Sequence, residues 1–314
     1  MLKTGLALVL TAAIVLGLNK IYVLGDGTDP DGVAKFQTMP ASIEICNFGS
    51  SHGVCGFNYE NWEDKYSCFN FALGAQSLLY DSRLLNYYQD HIAEGAIVII
   101  PISYFSFYGE PEDQENDFES KNKRYYKILP PEDITDYNYQ LDVLMKYPVT
   151  TAYEKLFPEI CPWSPVTAAG DQPVATAADI NIEAAAEDAY TRHLVKGKTN
   201  DDGSMIVNDE NVSAVYKMIE ICRERGARPV LVTPPFLWEY TKQAEEHSPG
   251  FFEGYYAQIN EIVTETGAEY FDYSRDERFI HEPELFMDID HLNHNGSLLF
   301  TDVLLDGLIK KASS

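Results

Sequence analysis

Apolar and polar positions divide the chain into short hydrophobic runs that alternate with amphipathic stretches. Residues 43–48 read as a buried strand running straight into the small polar loop Gly49-Ser50-Ser51-His52-Gly53. Residues 66–72 read as a second strand. A helical pattern follows over residues 76–91, with apolar positions at Leu78, Leu79, Leu84, Leu85 and Tyr88. Residues 96–102 form a continuous apolar run, the pattern of a parallel sheet covered on both faces. Val212, Val215, Met218, Ile219 and Cys222 share one helical face, Gly226 stops that helix, and residues 229–233 are another apolar strand closed by Pro234-Pro235. The unit recurs: Phe252, Tyr256, Ile259 and Val263 mark a helix ending at Gly267, residues 269–273 a strand, and residues 298–309 a closing amphipathic helix.

Strands alternating with helices imply right-handed crossovers. The expected fold is therefore a three-layer, flavodoxin-like α/β arrangement of about five parallel strands with helices on both faces. The third and fourth strands are separated by a long interruption, about residues 104–208, expected to be an inserted lid or subdomain. It holds an acidic cluster (Glu110, Glu112, Asp113, Glu115, Asp117, Glu119) and an alanine-rich stretch (Ala168, Ala169, Ala175, Ala177, Ala178 and Ala184 to Ala186). The acidic residues lack the spacing and turning glycine of a calcium loop and read as a solvated loop.

At the amino terminus, residues 4–18 are apolar and uncharged, and residues 21–24 extend the run beyond Asn19 and Lys20 to nearly membrane-spanning length. Lys3 precedes the run while Asp26, Asp29 and Asp31 follow it, so the positive-inside rule puts the amino terminus in the cytoplasm and the body outside. A signal peptide shares this polarity, but the only small-residue pattern after Leu18 is the weak Val23-Leu24-Gly25. The expected organisation is an uncleaved transmembrane anchor over residues 1–25, a linker over 26–40, and an extracytoplasmic domain over 41–314.

The 314-residue chain carries 23 Lys plus Arg against 49 Asp plus Glu, a formal charge of −26 that repels phosphate backbones and argues against nucleic acid as a partner. Five cysteines (Cys46, Cys55, Cys68, Cys161, Cys222) stand at irregular spacing without a Cys-x-x-Cys pair, so at least one stays unpaired and no zinc or redox motif is present.

Open parallel sheets bind ligands at the carboxyl ends of their strands, where Ser50 and Ser51 stand. Near the other end of the chain, Asp288 and His291 lie three apart before the last helix, so within one turn the carboxylate can hold one imidazole nitrogen while the other points away. A histidine of pKa about 6.5 can take the proton of a serine hydroxyl, and a carboxylate fixes its tautomer and stabilises the imidazolium. His52 reads as a pocket-wall residue rather than a base. Asp288, Asp290, His291 and His294 also make a possible divalent-metal cluster, weaker than the triad because it leaves Ser51 unexplained. Asp272 is an outside candidate for the acid. Tyr104, Phe105, Phe107 and Tyr108 could line a sugar-binding cleft or simply pack.

In these motifs the sequence resembles the SGNH or GDSL hydrolase superfamily. Gly49-Ser50-Ser51 matches the Gly-Asp-Ser block with Ser in place of Asp, and Asp288-x-x-His291 matches the last block. The resemblance implies Ser51 as nucleophile, His291 as base and Asp288 as its partner, with no cofactor and no metal. It implies an oxyanion hole formed by the Ser51 backbone N–H, by Gly74 or Ala75 after the second strand, and by Ser103 or Tyr104 where the family carries an Asn. The Gly-Ser-Ser variant is similar to the membrane-anchored branch that includes the D-alanyl-lipoteichoic-acid transfer proteins. The implied function is an extracytoplasmic serine esterase or O-acyltransferase acting on an acylated glycan or cell-envelope polymer, with a membrane acyltransferase as a possible partner. The alternative is a catalytically inactive SGNH-fold glycan-binding or accessory subunit of a membrane acyltransferase system.

Overall fold

The computed structural model describes residues 2–24, 32–110, 122–139 and 176–312. Its helices, in chain order, are α1 (Leu2–Leu24), α2 (Ser51–Gly56), α3 (Leu78–Tyr88), α4 (Ile182–Tyr190), α5 (Asp209–Glu224), α6 (Trp238–His247), α7 (Phe251–Thr266) and α8 (His294–Ala312). Five strands, β1 (Ile43–Asn47), β2 (Cys68–Asn70), β3 (Ile92–Pro101), β4 (Arg228–Thr233) and β5 (Glu269–Asp272), form one sheet in the order β2-β1-β3-β4-β5. Every neighbouring pair is parallel. This is the flavodoxin-like order, and it places a topological switch point between β1 and β3. The burial explains the apolar runs: β4 is buried from Pro229 to Thr233 and β3 over its last four residues, as a sheet covered on both faces requires.

The step from β1 to β2 moves one way across the sheet and all later steps move the other way. Right-handed crossovers therefore set α2 on the opposite face from α3, α5 and α7. Accordingly, α3 packs on α5 while α8 packs on α2. α3 starts at Leu78 because the Ser77 side chain accepts the Tyr80 N–H at 3.3 Å, later than the apolar pattern suggests. β3 starts at Ile92, earlier than the expected strand. Its pairing with β1 shifts register there, and Gly95 takes φ +77°, so the polar start of the strand is an irregularity in the ladder.

Three helices were not anticipated. α2 takes up Ser51–Gly56, where the sequence reads as a loop, because the Gly53 and Val54 N–H groups close a turn on the Ser50 carbonyl. α6 buries only Tyr240, Thr241 and Ala244, too narrow a stripe to register as amphipathic. α4 falls in the alanine-rich stretch and continues into a π-helical turn, Thr191–Val195. Of residues 104–208, the described parts up to 110 and from 176 belong to the unit that holds the sheet. Tyr108 bridges Val207, and the Asn208 N–H donates to the Phe107 carbonyl at 2.8 Å. The acidic residues beyond Glu110, the alanines 168, 169 and 175, Cys161, and Asp26, Asp29 and Asp31 lie outside the described residues.

The chain divides into two units, one of Met1–Thr38 with Asp117–Pro173 and the other of Met39–Asn116 with Val174–Ser314. In the first, the Tyr126 and Tyr137 rings stack at 4.9 Å and the Asn122 side chain donates to the Thr135 carbonyl at 2.7 Å. The first unit also contains α1, where the expected membrane span is not supported. Among the described residues no helix is long and apolar enough to cross a membrane.

Candidate active site

The loop after β1 is held from three sides. The side chain of buried Asn47, the last residue of β1, donates to Asn70 Oδ1 at 3.0 Å and to the Gly53 carbonyl at 3.1 Å, while the Tyr59 hydroxyl donates to Asn47 Oδ1 at 2.9 Å. Ser51 then opens α2, with the N–H groups of Gly53 and Val54 donating to the Ser50 carbonyl at 2.9 and 3.0 Å. Gly53 permits this tight entry: a Cβ there would run into the Phe48 carbonyl oxygen and come within 2.7 Å of the Ala72 Cβ. The Ser51 N–H belongs to the first turn of α2, whose amides have no partner inside the helix.

The second half of the site is a closed loop rather than the helical turn that the Asp288/His291 spacing suggested. Phe286 and Leu292 form an antiparallel bridge, and the Met287 N–H donates to the His291 carbonyl at 2.9 Å. Inside the loop Asp288 Oδ1 accepts the N–H groups of Asp290 at 3.1 Å and His291 at 2.8 Å, an Asx turn that brings carboxylate and imidazole together. His291 Nδ1 lies 2.9 Å from Asp288 Oδ2, and its Nε2 lies 2.8 Å from Ser51 Oγ. The consistent proton placement has Nδ1–H donating to Asp288 and the Ser51 hydroxyl donating to Nε2. In that state an imidazole can accept the proton of an attacking hydroxyl. Burial pulls the His291 pKa down, but the hydrogen bond to Asp288 and the charges of Asp290 and Asp288 outweigh it and hold the group above its ordinary value.

A further set of groups surrounds this pair. Asp290 is enclosed, with Oδ2 3.0 Å from His52 Nε2 and 3.3 Å from His193 Nδ1. His52 Nδ1 lies 2.7 Å from Ser103 Oγ at the end of β3. A Ser103 hydroxyl donating to Nδ1 and an Nε2–H donating to Asp290 satisfy both nitrogens of a neutral ring. Burial lowers the His52 pKa despite its bond to Asp290. Burial also lowers His193, to about 3, against the attraction of Asp290. Burial opposes ionisation of Asp290, yet the hydrogen bond from His52 and the neighbouring imidazoles keep its carboxyl below the usual range. Donor atoms of His52, Asp290 and His291 lie within 4.8 Å of one another, close enough in principle for a cation. A cation there would have to displace the protons that now join His52 to Asp290 and His291 to Asp288.

The remaining sequence candidates are distributed unevenly. Ser103 is buried beside the site with its hydroxyl on His52, whereas Tyr104 is buried in an aromatic cluster with its hydroxyl 3.1 Å from Thr241. Gly74 and Ala75 form the exposed turn between β2 and α3. Asp272 accepts hydrogen bonds from the Tyr256 hydroxyl at 2.7 Å and from Ser274, so it is occupied elsewhere. His294 lies on α8 against Asn58 and Glu60. Phe105 packs on His52 and His193 with ring centroids 5.1 and 4.7 Å away. Phe107 and Tyr108 instead line a pocket of about 290 Å³ that contains none of the triad residues.

Sequence reasoning missed His193 and the place of Asp290. His193 lies in the interrupting stretch with no motif around it. Asp290 stood only in a possible metal group, although an acid flanked by the buried Ile289 and the base is itself a signal.

No family model and no curated protein matches this chain. Among solved structures, a Bacteroides fragilis protein assigned as an acylhydrolase is 10% identical at TM-score 0.41, the match covering 90% of this chain and 95% of that one. The protein YxiM from Bacillus subtilis is 12% identical at TM-score 0.40, covering 87% of this chain and 58% of that one. An acetyl xylan esterase is 12% identical at TM-score 0.40, covering 84% and 99%. At these values the likenesses carry no argument, and the fold rests on strand order and the site on its hydrogen bonds.

Proposed function

We propose that the protein is a serine-dependent ester hydrolase or O-acyltransferase. The observation that carries this reading is the chain of contacts Ser51 Oγ to His291 Nε2 at 2.8 Å and His291 Nδ1 to Asp288 Oδ2 at 2.9 Å. Ser51 Oγ attacks the acyl carbonyl while His291 takes its proton, and Asp288 stabilises the imidazolium. The carbonyl oxygen gathers negative charge facing the Ser51 N–H, with the Gly74 N–H as the second donor of this proposal. His291 then returns the proton to the departing alkoxide, leaving an acyl group on Ser51. Water or an acceptor hydroxyl, deprotonated by the same imidazole, completes hydrolysis or transfer.

The Ser103 hydroxyl is engaged by His52. Losing one oxyanion donor costs about a hundredfold or more in turnover, so slow turnover is expected. The substrate class in this proposal, an acyl ester of a glycan or cell-envelope polymer, is supported by the Gly49-Ser50-Ser51 form of the first block and its likeness to surface acyl-modifying proteins.

The test is a fluorophosphonate probe on the folded protein. Mass spectrometry should find the adduct on Ser51, labelling should vanish in Ser51→Ala, and it should fall strongly in His291→Ala. A folded, unlabelled wild-type protein overturns the reading.

A further inference from the structure

The two carboxylates beside His291 differ in their surroundings. Asp288, which makes the direct hydrogen bond, has a side chain 44% exposed, whereas the side chain of Asp290 is 0% exposed. Charge on a half-exposed carboxylate is screened by water, and charge on an enclosed one is felt far more strongly at equal distance. Asp290 Oδ1 is buried without a hydrogen bond, and His291 Nδ1 stands 3.5 Å from it. Leaving an ionised oxygen buried and unbonded is costly unless a positive charge forms beside it. The other oxygen is clamped: Oδ2 meets His52 Nε2 at 3.0 Å and His193 Nδ1 at 3.3 Å, and His52 is fixed in turn by Ser103 at 2.7 Å. Three imidazoles from three elements converge on one carboxylate, and only the His291 ring also reaches Ser51.

We propose that Asp290 is a second, buried counter-charge for His291, a positioning residue held by His52, Ser103 and His193 with its unbonded oxygen toward the ring that receives the Ser51 proton. The inference rests on the reading of Ser51 as nucleophile and deepens it. It makes Asp288 the group that orients the ring and Asp290 the main source of field on the imidazolium. The other titratable or charged groups facing His291 are His52 from α2 and Arg192 and His193 from the turn after α4, while Cys55 of α2 faces the two carboxylates. His52 and His193 are held neutral by burial, and Arg192, half exposed, acts weakly in the opposite sense.

The rate of Ser51 labelling by fluorophosphonate, followed in the full chain across the range where histidine titrates, tests the proposal. In Asp290→Asn the plateau rate should fall by about tenfold or more and the midpoint should move to lower pH, a shift of one pH unit being a tenfold change. In Asp288→Asn the midpoint should move less. An Asp290→Asn profile that overlays the wild type overturns the inference and leaves the Ser51 reading standing. A folded wild-type protein without labelling overturns both.

If Asp290→Asn does not fold, NMR titration of the His291 ring in Asp288→Asn, where the altered side chain is half exposed, decides. A pKa still above the ordinary histidine value supports the proposal, and an ordinary or lower value refutes it.

Discussion

The backbone N–H of Gly49 donates to Oδ1 of Asp81 at 2.8 Å, so the loop that presents Ser51 is tied to a buried carboxylate in the first turn of α3. Gln76 Nε2 donates to the same oxygen at 2.6 Å, and the Leu73 N–H donates to the Gly49 carbonyl at 3.1 Å. Asp81→Ala should therefore destabilise the protein by about 2 kcal/mol, the scale of a charge-assisted hydrogen bond, and slow Ser51 labelling. Asp81→Asn, which keeps an acceptor oxygen, should recover most of both. Urea titration and probe labelling of the two variants check this, and equal losses in both would refute it.

Gly53→Ala should be among the most damaging small substitutions. The added methyl meets backbone at Phe48 rather than a movable side chain tip, so α2 must shift and Ser51 with it. An overpacking cost of about 1–3 kcal/mol is expected, read as a lowered Tm together with lost labelling.

Ser103→Ala separates two roles for that hydroxyl. As the partner of His52 Nδ1, its loss leaves a buried acceptor unsatisfied and costs about 1–3 kcal/mol of stability. As an oxyanion donor, its loss would cost about a hundredfold in kcat. We expect the stability loss with a kcat change under about tenfold on a chromogenic acetyl ester. A hundredfold fall with unchanged stability would reverse the assignment.

Stability should fall on acidification before the carboxylates titrate. His193 is lowered from 6.5 to about 3 in the folded state, chiefly by burial, and His52 is lowered by the same cause. Below pH 6.5 the unfolded chain takes protons that the folded chain refuses, so the stability present above that value is lost progressively as pH falls toward about 3. His291, raised when folded, contributes in the opposite sense: its stabilisation is complete below its ordinary value and is lost as pH rises through the folded value. Denaturant midpoints measured at successive pH values should fall toward acid, and His193→Gln should flatten part of that slope. An unchanged slope in that variant would remove His193 from the account.

The alternation of strands and helices was legible because each strand is buried on both faces and therefore almost continuously apolar, as in the run that became β4. Element ends were less legible where they depend on caps or ladder irregularities, as at Ser77 and Gly95. α6 escaped notice because a helix resting on Tyr240, Thr241 and Ala244 has no wide apolar stripe. Within the site, Asp288 and His291 could be paired from sequence because their contact spans three residues and needs only a local turn.

Contacts across the chain belong to the tertiary structure alone. Residue pattern determined that a polar serine loop follows the first strand and that an acid and a base precede the last helix. The fold decided that these meet, across 240 positions, at the switch point beside β1 and β3. It decided equally that Asp290 turns inward to His52 and His193 while Asp288, two residues away, stays half exposed. Side-chain identity records which groups can ionise, whereas the enclosure that sets their charge and partners comes from elements distant in sequence, because burial is a property of packing rather than of neighbours along the chain.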